Sequence, residues 1–131
     1  MKICITSTGE TLDSQIDNRF GRCGYYIFYH TEEKQKEVVN NSAAGAAHGA
    51  GIQAGQTIIE KNPDIVITGN IGPNAMRVLS AAGIKVAVFQ SGTVQQAIDA
   101  CIKGELKEVS QSTVGGHFGM QQRGKGQEKN F

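Results

Sequence analysis

The chain has 131 residues, 39% of them hydrophobic, and thirteen basic against twelve acidic side chains leave a net charge of +1. One domain of this length buries roughly two thirds of the surface its unfolded form exposes, so it needs neither disulfides nor a structural metal to hold together. The near-zero charge excludes the strong basic field of non-specific nucleic-acid binding, and nucleic acid is not an expected partner.

Residues 2–6, KICIT, alternate loosely and read as a first strand. The apolar run there is only ICI, too short for a signal peptide or a membrane span, so the expectation is a cytoplasmic protein with no membrane contact. Eighteen residues without regular pattern follow, STGETLDSQIDNRFGRCG, and loops of that length in compact domains are usually functional or mobile. YYIFYH and KEVVN then read as two strands of a hairpin joined by the polar turn TEEKQ. The pattern changes to a helical period in HGAGIQAGQTIIEKN, with Ile52, Gly55 and Ile59 at i, i+3 and i+7. Its glycines lower helix propensity, which implies close packing or a ligand near the backbone.

The strand PDIVITGN leads through a glycine turn into the helix PNAMRVLSAAG, with Pro73 in its first turn and Gly83 at its stop. The unit repeats as IKVAVFQ and TVQQAIDACIKG, where Thr93 and Gln96 stand at capping-box spacing. Short connections imply parallel pairing with right-handed crossovers. The expected fold is therefore a single α/β domain, a mixed five-stranded sheet, antiparallel in its first half and parallel in its second, flanked by helices. It spans residues 1–118, and residues 119–131, rich in Gly, Gln and charge, read as a disordered tail.

Three cysteines without a CxxC pair make reduced thiols the default. Cys4 lies within the first strand on the face opposite Ile3 and Ile5, and Cys101 shares a helical stripe with Val94, Ala97, Ile98 and Ile102; both read as core residues. Cys23 sits in the long loop beside Arg22 and four residues after Arg19. Two readings stand: cations favouring a metal-binding thiolate, or a half-buried thiol that tucks the loop down with Phe20 as anchor. His48, at a helix start where freed amides favour anions, reads either as a ligand to iron, copper or zinc or as a local hydrogen-bonding group. His30 and His117 read mainly as structural, with Met120 a soft partner for His117. The turn TGNIGPNA sets Gly69, Asn70, Gly72 and Asn74 between a parallel strand and a helix start, a common place for ligands, although glycine also serves turn geometry there. It is neither GxGxxG nor a Walker loop. No hydrolase elbow, zinc-protease motif or paired strand carboxylates occur, so no enzymatic activity is expected.

Five ordered blocks, LDSQIDNRFGRC, GAGIQAGQ, VITGNIGPNA, LSAAGIKV and GTVQQAIDACIKGEL, resemble the dinitrogenase iron-molybdenum cofactor biosynthesis family over roughly residues 1 to 118. The resemblance implies a ribonuclease H-like fold without nuclease carboxylates. It also implies carriage of an iron-sulfur or iron-molybdenum-sulfur cluster, or a precursor, as transient cargo. On that view Cys23 and His48 would be metal ligands, Arg19 and Arg22 charge partners, and the amides around Gly69, Asn70, Gly72 and Asn74 a cradle. The implied partners are cluster donor and acceptor proteins, with the chain a monomer or weak homodimer. Two other classes remain: a module for a small anionic metabolite or nucleotide, and a scaffold that pairs through the aromatic YYIFY strand if it forms a sheet edge.

Overall fold

Alternation along β1 (Lys2–Ser7) sends Ile3 and Ile5 into one hydrophobic cluster and Cys4 into the other, so the strand is covered on both faces. β2 (Tyr25–His30) pairs antiparallel with it from Lys2↔His30 to Ser7↔Tyr25, and β3 (Gln35–Asn40) completes the expected hairpin. On the other side of β1, β4 (Ile65–Thr68) and β5 (Lys85–Val88) add in parallel, in the register Ile3↔Ile65↔Lys85. The computed structural model describes residues 1–42, 45 and 49–114. The expected tail from residue 119 lies outside them.

Among the described residues the sheet has six strands rather than five, in the order β3-β2-β1-β4-β5-β6. The extra one, β6 (Lys107–Val109), pairs antiparallel with β5. Only three residues long and mostly exposed, it carries no alternation that a reading by period detects. A second correction concerns the aromatic strand: β2 lies between β1 and β3, and the edges are β3 and β6. Tyr26 and Phe28 therefore fill the core instead of offering a surface.

Among the described residues three helices cover the sheet: α1 (Ala50–Lys61) and α2 (Pro73–Ala81) on one face, α3 (Val94–Ile102) on the other. Ala54 and Ile58 of α1, with Ala75, Met76 and Leu79 of α2, pack on Cys4, Tyr26, Phe28, Val66 and Val86. The buried stripe of α1 is Ala50, Ala54 and Ile58 together with Gly55, while Ile52 and Ile59 are only half-buried; the expected stripe was rotated about one position. α3 opens as anticipated, with the Gln96 amide donating to Thr93 Oγ1 at 3.1 Å and the Thr93 amide to Gln96 Oε1 at 2.9 Å. Its stripe ends sooner: Val94, Ala97 and Ile98 are buried, Cys101 is half-buried, and Ile102 is 57% exposed where the last turn passes the core.

This arrangement separates two substitutions that look alike in sequence. Leu79→Ala removes a fully buried side chain and is expected to cost about 2–5 kcal/mol. Ile102→Ala should cost under about 1 kcal/mol, since most of that side chain already meets water. Urea unfolding of the two variants checks the assignment, and equal losses would contradict it.

Candidate functional site

The long loop between β1 and β2 crosses the end of the sheet from one face to the other. Ile16 is buried with Leu12 against the Ile3 and Ile5 face, whereas Phe20 and Cys23 are buried on the opposite face with Tyr26 and Phe28. The crossing point is Asp17, whose amide donates to the Thr6 carbonyl at 2.9 Å. The buried Thr6 hydroxyl donates to the Asp17 carbonyl at 2.7 Å and lies 2.9 Å from the Thr68 hydroxyl. The loop therefore spans the tips of β1 and β4, with its backbone groups paired inside the protein as burial requires. Asp17 is also fixed by its side chain, which accepts the Arg19 amide at 3.0 Å and the Arg19 Nε at 3.2 Å.

Past the crossing, the loop docks on the β4–α2 turn. Arg19 bridges Asn70 in parallel fashion, and the Phe20 amide donates to the Asn70 carbonyl at 3.2 Å. Gly69 permits this approach, because a Cβ there would fall 2.7 Å from Asn18 Cα and 2.2 Å from its Oδ1. A second clamp comes from Asn41, at the end of β3, whose Nδ2 donates to the carbonyls of Gly21 at 3.0 Å and Cys23 at 2.8 Å. Its own amide donates to the Gly24 carbonyl at 3.0 Å. Gly21, at φ 88°, then lies against Gly51 in the first turn of α1, and Gly51 lies against Ala75 in the first turn of α2.

Loop, α1 start and α2 start thus enclose one cleft of about 290 Å³, walled by Phe20 and Arg22, Gly49–Ile52, Gly72–Ala75 and Val114. Neither helix start here has a side-chain cap: the N-cap residues are Gly49 and Gly72, and Pro73 brings no amide hydrogen. The first-turn amides of both helices lack intrahelical acceptors, and the positive ends of both dipoles meet at a cleft that Arg22 also borders. α3, which does not border the cleft, closes its own first turn with the capping box. A cleft built this way accommodates an anion. A larger cavity of about 450 Å³ lies at the other end of the sheet, among the helix C-termini, where Asp64 and Glu108 stand beside Lys85 and Met1 and no helix start among the described residues points inward.

Of the expected site residues, Arg22, Gly72 and Asn74 border this cleft. Gly69 and Asn70 hold the loop, and Arg19, with a 68% exposed side chain, pairs with Asp17. The largest departure is Cys23. Its side chain is wholly buried in the core and absent from the cleft wall, so the structure takes the loop-anchor reading over that of an arginine-activated thiolate. Burial pushes this thiol up to about 11; the Tyr26 hydroxyl offsets part of the rise and Asp17 adds to it. The Arg19 guanidinium is hydrogen-bonded to Asp17. Cys4 is likewise raised by burial. The Tyr26 hydroxyl is buried beside Cys23 without a hydrogen bond of ordinary geometry, and Phe20 packs over it with ring centroids 6.0 Å apart. His48, the other expected ligand, lies outside the described residues, as do His117 and Met120. His30 ends β2 with Nδ1 3.9 Å from Glu33. Among the described residues no group of three or more His, Cys, Asp or Glu side chains is set to hold a metal ion, and no helix is long and apolar enough to cross a membrane.

Asn41, Asp17 and Asn18 escaped the reading by sequence. Asn41 follows a strand and looks like an ordinary turn residue; only the fold brings it 18 positions back to Cys23. Asp17 carries a weak local signal, since a side chain accepting the amide two residues on is a common turn motif.

The family model described as dinitrogenase iron-molybdenum cofactor matches residues 1–104. Among solved structures, the apo form of the orange protein from Desulfovibrio gigas is similar with a TM-score of 0.83 and 33% identity, over 86% of this chain and 96% of that one. A Thermotoga protein described as a candidate NifB protein and solved by NMR gives a TM-score of 0.77 and 42% identity, over 86% and 97% of the two chains. An uncharacterised protein of Methanocaldococcus jannaschii is 27% identical over 99 residues, 73% of this chain and 84% of its own length.

Two outcomes follow from the buried thiol. Asn41→Ala leaves two carbonyls of the loop without their donor and should cost about 1–3 kcal/mol, while native-state alkylation of Cys23 by iodoacetamide, followed by mass spectrometry of its peptide, speeds up at least tenfold. An unchanged alkylation rate would show that Asn41 does not hold the loop closed. The second outcome concerns pH. The folded protein holds the Cys23 proton up to about 11, whereas an unfolded thiol loses it near about 8.5. The stability is therefore fully present below about pH 8.5 and declines as pH rises toward the folded value, by at most ~1.4 kcal/mol per pH unit from this group. Urea midpoints between pH 8 and 10.5 should fall less steeply in Cys23→Ala than in the unaltered protein.

Proposed function

The chain belongs to the dinitrogenase iron-molybdenum cofactor family, and on that footing we propose that its cleft carries an iron-sulfur or iron-molybdenum-sulfur cluster, or a precursor, as transient cargo without catalysing its conversion. The observation that carries this reading is the convergence of two uncapped helix starts and Arg22 on one cleft. Metal-sulfide clusters of this kind are anions whose sulfur atoms accept hydrogen bonds. Main-chain amides of Ala50–Ile52, Asn74 and Ala75 are fixed donors for such sulfurs, and Arg22 adds a full positive charge at the rim. Four cysteine ligands would make a permanent iron-sulfur protein; amides and one guanidinium hold a charged cargo that is still able to leave.

In this reading Cys23 stays behind Phe20 and supports the wall of the cleft instead of ligating the metal. His48, next in sequence to the cleft residue Gly49, is the imidazole available to an open metal position. Loading and unloading call for donor and acceptor proteins that approach the cleft from outside. A small phosphate-bearing metabolite would meet the same amides, and this is the alternative that the test must separate.

Anaerobic titration of the apo-protein with a synthetic iron-sulfur cluster, read by visible absorption and iron analysis, should reach about one cluster per chain. Arg22→Ala should weaken uptake at least tenfold, equivalent to about 1.4 kcal/mol, and Cys23→Ser should stay within about threefold of the unaltered chain. Absence of uptake, together with a thermal shift from phosphate compounds, would replace the cluster by a metabolite. Loss of uptake in Cys23→Ser alone would make the thiol a ligand after all.

A further inference from the structure

Residues 110–114, which follow β6, take a course that the sheet itself does not require. β6 pairs Lys107 with Val88 and Val109 with Val86, so it runs away from the cleft end of the sheet. Four residues later Thr113 is back at that end. Its amide donates to the Ile71 carbonyl at 2.9 Å, and its Oγ1 accepts the Ile71 amide at 2.8 Å. The Val114 amide also approaches the Ile71 carbonyl at 3.4 Å. Ile71 is a buried residue of the β4–α2 turn, ahead of the first α2 bond, which runs from the Met76 amide to the Gly72 carbonyl. Its amide and carbonyl belong to no helix or strand ladder, and buried main-chain groups need partners; Thr113 pairs with both. The same turn is held from another direction by the Phe20 amide, which donates to the Asn70 carbonyl.

This double bond delivers Val114 to the cleft. Its side chain borders the opening over Gly72, the N-cap of α2, where a Cβ would lie 4.0 Å from Val114 Cγ2. Glycines and alanines make up much of the cleft border, and Phe20, Ile52 and Val114 are its bulky apolar side chains. Of these, Val114 lies beyond residue 104, where the match to the family ends, and it is 44% exposed. A border of main chain and small residues has a fixed shape, so the bulky side chains decide what fits. At about 290 Å³ the cleft stands at the small end of ligand sites, which run from roughly 300 to 1,000 Å³. One branched side chain at such an opening acts by steric exclusion, which separates cargoes through the difference of their affinities.

We propose that residues 110–114 are a specificity strap, in which Val114 limits the size of the cluster that the cleft admits and Thr113 is the positioning residue that holds Val114 over Gly72. The inference rests on the cluster-carrying reading of the cleft, and it narrows the cargo to a compact iron-sulfur cluster. A [4Fe–4S] cube stacks two [2Fe–2S] rhombs, so the two differ in thickness while presenting the same sulfide acceptors to the amides of the cleft. They therefore test size without changing the chemistry of recognition.

Anaerobic titrations of the full-length protein with synthetic [2Fe–2S] and [4Fe–4S] clusters give two dissociation constants, and their ratio is the readout. Val114→Ala should move that ratio about fivefold or more toward the four-iron cluster, and Val114→Phe about fivefold or more toward the two-iron one. Thr113→Val, which removes the hydroxyl and keeps a side chain of similar shape, should reproduce the shift of Val114→Ala, whereas Thr113→Ser should behave as the unaltered chain. Amide NMR spectra of the apo variants check that each is folded. A ratio left within about twofold by both Val114 variants would overturn the proposal. So would a Thr113→Val variant that weakens both clusters equally, since a merely structural role lowers affinity without changing the ratio. Uptake of neither cluster by the unaltered chain is a different result: it would overturn the carrying function of the cleft, and the role of the strap with it.

Discussion

The structure depends on the passage of one loop across the end of the sheet. The chain leaves β1 on the α3 side and must enter β2 with its aromatic side chains packed on the α1–α2 side, so it has to cross over the tips of β1 and β4. A backbone crossing there is buried, and each of its polar groups needs a partner. Thr6 and Thr68 supply hydroxyls beneath it, Asn70 and Asn41 hold it at its far end, and Gly69 leaves room for Asn18. The same passage fixes the position of Phe20 over Tyr26 and of Cys23 inside the core. Both the wall of the cleft and the burial of the thiol follow from it.

The charge character of the cleft has a topological origin. β3, β4 and β5 all end at the same end of the sheet, and the helix that follows each starts there, so their dipoles add at that end. Side chains decide which helix starts remain open. Thr93 and Gln96 close α3 internally, whereas Gly49 and Gly72 carry no group able to close α1 and α2. The small residues Gly51 and Ala75 bring these two open starts together. The glycines that reduce the intrinsic helix propensity of α1 are thus the ones that set amides at the cleft.

Much of the fold was legible because its signals are local. The strands alternate or form short apolar runs, the hairpin has a polar turn, and the caps of α2 and α3 stand at their expected residues. β6 was not legible, because three mostly exposed residues owe their strand state to pairing with β5 alone. Ile102 looked like a core residue because periodicity does not show where a helix outruns the sheet beneath it. At the site, Arg22, Gly72 and Asn74, which residue type and turn position single out in the sequence, border one cleft in the structure. Neighbouring arginines suggested an activated thiolate at Cys23, but the direction of that side chain is set by Asn41, 18 residues away, and by the aromatic cluster of β2. Adjacency in sequence does not show that the sulfur is buried in the core.

Anion binding by helix starts, with the cysteine kept behind the wall, is the central claim, and backbone resonances report on it directly. Amide NMR spectra of the isotope-labelled protein would be followed during anaerobic titration with a synthetic iron-sulfur cluster. The account predicts that paramagnetic broadening begins at Gly49–Ile52 and Gly72–Ala75 and spares the opposite end of the sheet around Asp64, Lys85 and Glu108. Broadening centred on that opposite end, or uniform across the chain, would contradict it.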